Sequence, residues 1–436
     1  MCTIEVRARS SSSLRQPRDK SWDDQYCPGT SPPYPISLRE ILATKVLSAN
    51  PPIFVAPFNS HSFDSPIEHI CEKSATATVR CRAFECGLAT TEVVSTVIDA
   101  ISDLATNYRA GDEIVVIGYS RGSYSGRSFI GFLDRVGLPK DGDRHVLLDL
   151  YDKYTSGKLL KRDFASHLRK KHHCVHVNIK TLLCIDTVGA LGIPQTGIFG
   201  FLRMLPPLIT KQQFMETNAA SNVQVLLHVL ALHESRSPFQ PTLMHIDETS
   251  SQILHQLWFL GSHGDVANDD ETGCISDIVL AWCLANLEIY AGITFDESKL
   301  SVRFPRMGTD SPISNDRSDG LAWLHDPIRD PVKGLWRLMG RKTRVPNHAV
   351  PLGKRTNESV HITARLRGYG SSRGEPAVPE HRLEARGNAF IWRKQEVPFQ
   401  SNGEESPALL EAAMSRREAH LLGLSVESDM HTLGSN

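Results

Sequence analysis

The chain has 436 residues, and its 48 Lys and Arg residues are balanced by 49 Asp and Glu, for a formal net charge of −1. This balance gives no support to nucleic acid or an anionic membrane surface as a partner. No apolar run approaches the roughly 18 residues of a membrane span, so we expect no transmembrane segment. The 9 cysteines form no C-x-x-C pair, and residues 1–24 lack the apolar stretch of a secretory signal. These features predict free thiols, no metal centre and a cytoplasmic protein.

The first predicted elements lead up to the centre of the chain. Residues 1–50 are polar, and we expect them to be partly disordered. Ile53–Ala56 is predicted as a strand that ends at Pro57–Ser60. Thr90–Tyr108 is predicted as an amphipathic helix because its apolar residues recur at three- and four-residue spacing. These residues are Val93, Val94, Val97, Ile98, Ile101 and Leu104.

The segment Gly111–Val136 carries the strongest functional signal. Its β-branched run Ile114–Ile117 predicts a buried strand of a parallel sheet, and a helix pattern begins a few residues later. Between them, Gly118-Tyr119-Ser120-Arg121-Gly122 matches the G-x-S-x-G pattern. A strand, a sharp turn with a serine at its tip and then a helix form the context of a nucleophile elbow, in which Gly118 and Gly122 leave room for the turn.

The elbow interpretation has one alternative and one competing match. A phosphate-binding or merely tight turn between strand and helix would produce the same local pattern. Gly370–Gly374 also matches G-x-S-x-G, but Pro376 and Pro379 follow it and prevent the required helix. We therefore discard the second match and take Ser120 as the candidate nucleophile.

Two further polar residues follow predicted strands. The β-rich run Val175–Ile185 ends at Asp186, and the apolar strand Gln256–Leu260 is followed by His263 in a glycine-framed loop. In open α/β folds, catalytic and ligand-binding groups gather at the carboxyl ends of the strands. The structural alternatives are a turn or helix-cap role for Asp186 and a packed or surface position without a catalytic role for His263.

The remaining predictions frame this centre. The pair Glu234 and Arg236 is predicted to be a structural ion pair, and Trp323, Trp336 and Leu338 suggest a lid or cap. The other predicted elements are helices at Val146–Tyr154, Ala219–Ala231, Ile275–Leu287 and Glu404–Leu422, a solvated basic helix face within residues 137–172, and a strand at Ser359–Ala364.

Ser120, Asp186 and His263 occur in the chain order of the α/β-hydrolase triad. Strand–helix–strand crossovers would bring the three strand ends together. His263 would then take the proton of Ser120, and Asp186 would orient the imidazole. The backbone N–H of Arg121 would be one oxyanion donor. This arrangement predicts ester hydrolysis through an acyl-enzyme, with no cofactor and no metal.

Several motifs resemble an uncharacterised α/β-hydrolase domain family that includes the Tle-type bacterial type VI secretion phospholipase effectors and many fungal proteins. The similar segments are Gly111–Val136, Asp186–Pro194, Ala231–Phe239, Trp258–Val266 and Ser276–Ile278, with a weaker echo at Thr356–His361. The resemblance covers roughly residues 83–290 and places the family's Ser–Asp–His triad on Ser120, Asp186 and His263. It implies an α/β-hydrolase-like fold, with a mostly parallel sheet flanked by helices and a C-terminal lid or cap region. It also implies a lipid or phospholipid acyl ester as substrate.

The chain departs from the family at two places near the expected site. The family's first strand ends in Asp-Gly-Thr, whereas here Phe58-Asn59-Ser60 is the nearest counterpart, and Asn59 becomes the candidate for a second oxyanion donor. The Gly-Gly after the family's Asp-Val is Ala267-Asn268. Loss of one oxyanion donor typically lowers the rate by about 10²–10³. The alternative function is therefore a catalytically impaired homologue that acts as a binding or scaffold protein.

The expected domain organisation follows from these assignments. Residues 1–50 would form the polar N-terminal segment, and residues 51–300 the α/β-hydrolase-like catalytic domain. Residues 301–400 would complete or cap that domain, and residues 401–436 would form a helical tail with a disordered end. The sequence leaves the oligomeric state and the acyl and head groups of the substrate open.

Overall fold

The computed structural model describes eleven parts of the chain. They are residues 53–55, 89–156, 162–188, 218–267, 275–309, 328, 330–346, 352–368, 377–387, 389–394 and 408–425. Several predictions fall outside them, namely Asn59, Trp323, the 1–50 segment, the Gly370–Gly374 match and the extreme C-terminus. The division into domains therefore stays a prediction.

Eleven strands are present in the described residues. In chain order they are β1 (Ile53–Val55), β2 (Ile114–Tyr119), β3 (Ile179–Ile185), β4 (Val223–Ala231), β5 (Ile246–Asp247), β6 (Ile253–Phe259), β7 (Lys354–Arg355), β8 (Glu358–His361), β9 (His381–Arg386), β10 (Ala389–Lys394) and β11 (Ala408–Ala412). Nine of them form one sheet in the order β1-β2-β3-β4-β6-β8-β11-β10-β9. Along this order, neighbouring strands pair in parallel from β1 as far as β11. The strand β10 pairs antiparallel with both of its neighbours, β11 and β9. The strands β5 and β7 form a separate antiparallel pair.

Helices connect and cover the strands. The α-helices are α1 (Ala89–Asn107), α2 (Arg121–Arg135), α3 (Arg144–Thr155), α4 (Arg162–Lys171), α5 (Ile275–Asn286), α6 (Glu297–Arg303), α7 (Thr363–Gly368) and α8 (Arg416–Leu422). Short 3₁₀ turns cover Ser237–Phe239 and Gly334–Met339, and a π-helical turn, Leu287–Ala291, extends α5. Within the described residues, no helix is both long and apolar enough to span a membrane.

The core lies on both faces of the sheet because alternate residues of each strand point to opposite sides. On β2, Val115 and Ile117 pack into a cluster with α5 and α8, whereas Ile114 and Val116 pack with α1, α2 and α3. A third cluster lies around the C-terminal strands and includes Trp392 of β10. Burial on both faces explains why the central strands are mostly apolar. The predicted fold class, a mostly parallel sheet flanked by helices in an α/β-hydrolase-like arrangement, is confirmed.

Two predicted helices are wrong. The segment predicted as the helix Ala219–Ala231 contains β4, which pairs in parallel with β3 and β6 in the middle of the sheet. The predicted helix Glu404–Leu422 contains β11 and, after a break, the short helix α8. In β4, pairing with neighbouring strands prevails over the helix preference of Leu and Ala, because the sheet buries these side chains on its faces. In β11, pairing with β8 and β10 prevails although Ala408 and Leu410 are exposed. The predicted strand Ser359–Ala364 is confirmed for β8 only, since α7 begins at Thr363.

Candidate active site

Ser120 occupies the turn between β2 and α2. Its backbone has φ 56° and ψ −122°, a strained conformation for a residue with a side chain, and it is the N-cap of α2. Its N–H donates to the Ile185 carbonyl of β3 at 2.8 Å, which ties the turn to the neighbouring strand. The predicted strand, sharp turn and helix are thus all present around this serine.

The turn requires glycine two residues before the serine. A Cβ on Gly118 would lie 2.6 Å from the backbone of Ser123, which is closer than a side chain tolerates. Ser123 stabilises the same packing from the helix side. Its hydroxyl donates to the Gly118 carbonyl at 2.6 Å and accepts the Ile185 N–H at 3.2 Å. Gly122, the second glycine of the motif, is buried in the first turn of α2.

Asp186 follows β3, next to the serine turn. It is fully buried and has φ 44°. Its N–H donates to Val229 O at 2.8 Å, and its Oδ1 accepts the N–H of Ala231 at 2.9 Å. Both partners belong to β4, the strand whose sequence pattern predicts a helix. The end of β4 therefore fixes the orientation of the Asp186 carboxylate.

The imidazole of His263 lies between Ser120 and Asp186. His263 comes four residues after β6 and is 4% exposed. Its Nε2 is 2.8 Å from Ser120 Oγ, and its Nδ1 is 2.6 Å from Asp186 Oδ2. With Asp186 ionised, Nδ1 carries the proton and donates to the carboxylate. Nε2 then accepts from the serine hydroxyl, so the arrangement can remove the proton of Ser120.

The residues around Asp186 keep its carboxyl group ionised. Burial alone would raise the pKa of this carboxyl, but the Arg344 guanidinium and the hydrogen bond from His263 hold it well below its usual range. The carboxylate is therefore ionised at neutral pH. An ionised, fully buried acceptor is what fixes the Nδ1–H tautomer of His263.

Aromatic and polar neighbours fix the position of His263. The ring of Tyr119 stacks on the imidazole at a centroid distance of 4.9 Å, and the Tyr119 hydroxyl donates to the His263 carbonyl at 3.2 Å. The ring of Phe239 meets the imidazole edge-on at 5.1 Å. The predicted ion pair of Glu234 and Arg236 is confirmed at 2.7 Å, and Glu234 also accepts the N–H of His263 at 3.3 Å.

One residue of the site was missed entirely. Arg344 is buried and forms two hydrogen bonds with the Asp186 carboxylate. No sequence pattern connects Arg344 with Asp186, because 158 residues separate them.

Trp336, one of the predicted lid residues, contacts Phe239 edge-on at 5.2 Å and so lies one ring away from His263.

The remaining site predictions concern the two oxyanion donors, Arg121 and Asn59, and the absence of a metal site. Arg121 is the first residue of α2, where a helix leaves its backbone N–H groups without partners in the helix. That position fits an oxyanion donor beside Ser120. Asn59 lies outside the described residues. In the part of the chain that the structure describes, no cluster of His, Cys, Asp and Glu has the arrangement of a metal site.

Comparison with known proteins identifies the family. The family model described as "T6SS, Phospholipase effector Tle1-like, catalytic domain" matches residues 68–286, half of the chain. No match was found among the curated proteins. Among solved structures, the crystal structure of an uncharacterized protein from Pseudomonas aeruginosa is similar over 47% of this chain and 28% of its own, at 15% identity and a TM-score of 0.25. On the strength of the family match, the chain belongs to the Tle1-like phospholipase effector catalytic domain family of type VI secretion systems.

Proposed function

We propose that this protein is a serine hydrolase that cleaves acyl esters of phospholipids or related lipids, with Ser120 as nucleophile, His263 as general base and Asp186 as its orienting carboxylate. The observation that carries the proposal is the continuous hydrogen-bonded chain from Ser120 Oγ through His263 to Asp186, at 2.8 and 2.6 Å. The family match supports a lipid ester as the substrate class.

The geometry supports a two-step reaction. Ser120 Oγ attacks the ester carbonyl carbon while its proton moves to His263 Nε2. The tetrahedral intermediate places its negative oxygen at the N-terminus of α2, where the Arg121 N–H and the positive end of the helix dipole stabilise it. Collapse of this intermediate breaks the C–O bond to the leaving alcohol, which takes the proton from His263. Water then repeats the sequence on the acyl-enzyme and releases the fatty acid.

Asp186 contributes by stabilising the imidazolium that forms in each step. Its Oδ2 accepts from Nδ1, so the positive ring faces a fixed negative charge. The low exposure of Ser120 and His263 keeps water from competing for these hydrogen bonds. A carboxylate that stays ionised is required for this function, and the contacts of Asp186 provide it.

The test combines covalent labelling with a lipid assay. A fluorophosphonate probe should label Ser120, as located by mass spectrometry, and labelling should be lost in Ser120→Ala and strongly slowed in His263→Ala. Ser125→Ala is the matched control, because Ser125 lies on the same helix and, within the described residues, its hydroxyl donates to the Arg121 carbonyl at 3.1 Å and to no residue of the triad. In parallel, vesicles of phosphatidylcholine or phosphatidylglycerol should release free fatty acid with the wild type and not with Ser120→Ala. An acid quench during turnover should trap the acyl group on the Ser120 peptide.

The result decides between the two functions considered from the sequence. A folded protein that is not labelled at Ser120 and releases no fatty acid would contradict the proposal and favour a binding or scaffold role. Labelling of Ser120 without release of fatty acid from any phospholipid would retain the serine hydrolase and reject the lipid substrate.

A further inference from the structure

Asp186 is held by the guanidinium of Arg344 as well as by His263. Arg344 Nη1 lies 2.6 Å from Asp186 Oδ1, and Nη2 lies 3.0 Å from Oδ2. Both side chains are fully buried, at 0% exposure each. Two parallel N–H···O bonds between a planar guanidinium and a planar carboxylate fix the plane of the carboxylate as well as its position.

The guanidinium is itself fixed by backbone carbonyls. Nη1 also donates to Ala231 O at 2.9 Å, at the end of β4, and Nε donates to Phe239 O at 3.1 Å. Nη2 makes a further contact with the Phe239 carbonyl. Because Ala231 also donates its N–H to Asp186, one residue of β4 contacts both members of the ion pair. Arg344 is therefore held at a set distance from the strand ends that carry the site.

Asp186 Oδ2 is the atom shared by His263 and Arg344. It accepts from His263 Nδ1 and from Arg344 Nη2, while Oδ1 accepts from Ala231 N and Arg344 Nη1. The carboxylate thus interacts with both the permanent positive charge of Arg344 and the imidazole of His263. A positive charge near this imidazole opposes the addition of a second one.

We infer that Arg344 is a positioning residue of the active site, whose guanidinium fixes the Asp186 carboxylate and offsets its charge, and so lowers the pH at which the Asp186–His263 pair takes up a proton and hydrolysis stops. The inference rests on the proposed function. Without Arg344, the pair would carry an uncompensated negative charge and would bind its proton more readily. This direction holds whichever member of the pair receives the proton.

The other charged and titratable groups around the pair do not replace Arg344. Glu234 and Arg236, after β4, neutralise each other at 2.7 Å. Asp265, after β6, accepts from the N–H and hydroxyl of Ser262 at 2.8 and 2.9 Å. His228 of β4 is neutral because burial lowers its pKa to about 4. Tyr119 stacks its ring on the imidazole and donates its hydroxyl to the His263 carbonyl. Among the described residues, Arg344 is the cation that directly contacts Asp186.

The experiment measures the rate of fluorophosphonate labelling, and of hydrolysis of a soluble short-chain ester, between pH 4.5 and 9. The variants are Arg344→Gln and Arg344→Met, which remove the charge, and Arg344→Lys, which keeps it. The acid limb is the part of the pH–rate profile in which the rate falls as the pH decreases. We expect it to lie at least about one pH unit higher in both charge-free variants than in the wild type. Arg344→Lys should keep the wild-type limb but react several-fold more slowly, because an ammonium cannot hold both carboxylate oxygens in one plane.

Arg341→Gln is the matched control. Arg341 lies on the same segment but is half exposed, and it pairs with Asp330 at 2.7 Å. Its acid limb should match that of the wild type. Folded charge-free variants with an unshifted limb would overturn the proposal, since a purely structural arginine would lower the rate equally at every pH. If neither charge-free variant folds, Arg344 serves the fold, and the proposal is overturned as well.

A different experimental result would reject the proposed function itself. A folded wild-type protein that is not labelled at Ser120 at any pH would reject the serine hydrolase itself, and with it the role of Arg344. A labelled wild type whose limb does not depend on the charge at position 344 rejects only the role of Arg344. The two failures are therefore distinguishable in one set of measurements.

Discussion

The Glu234 carboxylate accepts the backbone N–H of His263 at 3.3 Å while it holds the guanidinium of Arg236 at 2.7 Å. The same carboxylate also accepts the Arg236 N–H at 2.7 Å. Arg236 in turn lies over the ring of Phe239, 3.6 Å from its centroid. A pair that the sequence presents as an ordinary ion pair thus anchors both the backbone and the ring environment of the proposed general base.

We expect Glu234→Gln to weaken both the fold and the reaction. The neutral amide leaves the partly buried Arg236 without its counter-charge and weakens the bond to His263. Loss of a buried charge-assisted interaction typically costs about 2–3 kcal/mol of stability, and we expect a roughly tenfold lower rate at the site. Chemical denaturation and the rate of Ser120 labelling measure the two effects. Glu248→Gln, on an exposed residue, is the control. A Glu234→Gln variant indistinguishable from Glu248→Gln would refute this role of Glu234.

A pair of glycine substitutions tests the elbow. Gly118→Ala would place a Cβ 2.6 Å from the Ser123 backbone, so the turn must move or open. We expect labelling of Ser120 to fall at least about a hundredfold, because small displacements of a nucleophile have effects of this size. Among the described residues, the Cβ of Gly126→Ala meets the side chain of Val116, at 3.1 Å, and the variant should stay within about 1 kcal/mol of wild-type stability because alanine also favours the helix. Equal labelling rates for the two variants would contradict the steric explanation.

The parts of the site that depend on local sequence were predictable. The elbow combines a β-branched run, a glycine-framed serine and a helix pattern within one continuous segment. Asp186 and His263 each follow a strand, and parallel strands bring their carboxyl ends to one edge of the sheet. These three positions therefore follow from reading the strands correctly, together with the chain order of the residues. The structure brings all three together.

The parts that depend on distant pairing were not predictable. β4 is buried on both faces, so it lacks the alternation that marks a half-buried strand, and its leucines and alanine suggest a helix. The valines at 223, 225 and 229 are the signal that favours a strand. Arg344 occurs in a weakly patterned segment, and only the folded chain brings it to Asp186. Ser415 and Glu418 form a capping box that marks the start of α8. This sequence signal predicts a shorter helix than Glu404–Leu422.

Tyr119 offers a test of how the imidazole is oriented. Tyr119→Phe removes the hydroxyl bond to the His263 carbonyl and keeps the ring stacked on the imidazole. Tyr119→Ala removes both. We expect a loss of less than about threefold in the rate for Phe, and about ten- to thirtyfold for Ala, because the stacked ring restricts the imidazole to one orientation. The rate of Ser120 labelling and kcat measure this. Equal losses in the two variants would show that the hydroxyl, and not the ring, holds His263.

The stability of the fold should fall as the pH drops below 6.5, in part because of His228. Its Nε2 accepts the Thr187 N–H at 3.3 Å and its Nδ1 pairs with Gln256 Oε1 at 3.0 Å, so the buried ring is neutral. Burial lowers the pKa of His228 to about 4. The unfolded chain, with an ordinary histidine pKa of about 6.5, therefore binds a proton between pH 6.5 and 4 that the folded protein does not. The contribution of His228 to the free energy of unfolding is fully present above pH 6.5. It is lost as the pH falls towards 4, by about 2 kcal/mol at pH 5.

Denaturant unfolding at pH 7, 6 and 5 measures this loss of stability. The loss should be smaller in His228→Gln than in the wild type, whereas His145→Gln, on an exposed residue, should follow the wild type. Parallel losses in wild type and His228→Gln would show that His228 does not account for the acid sensitivity.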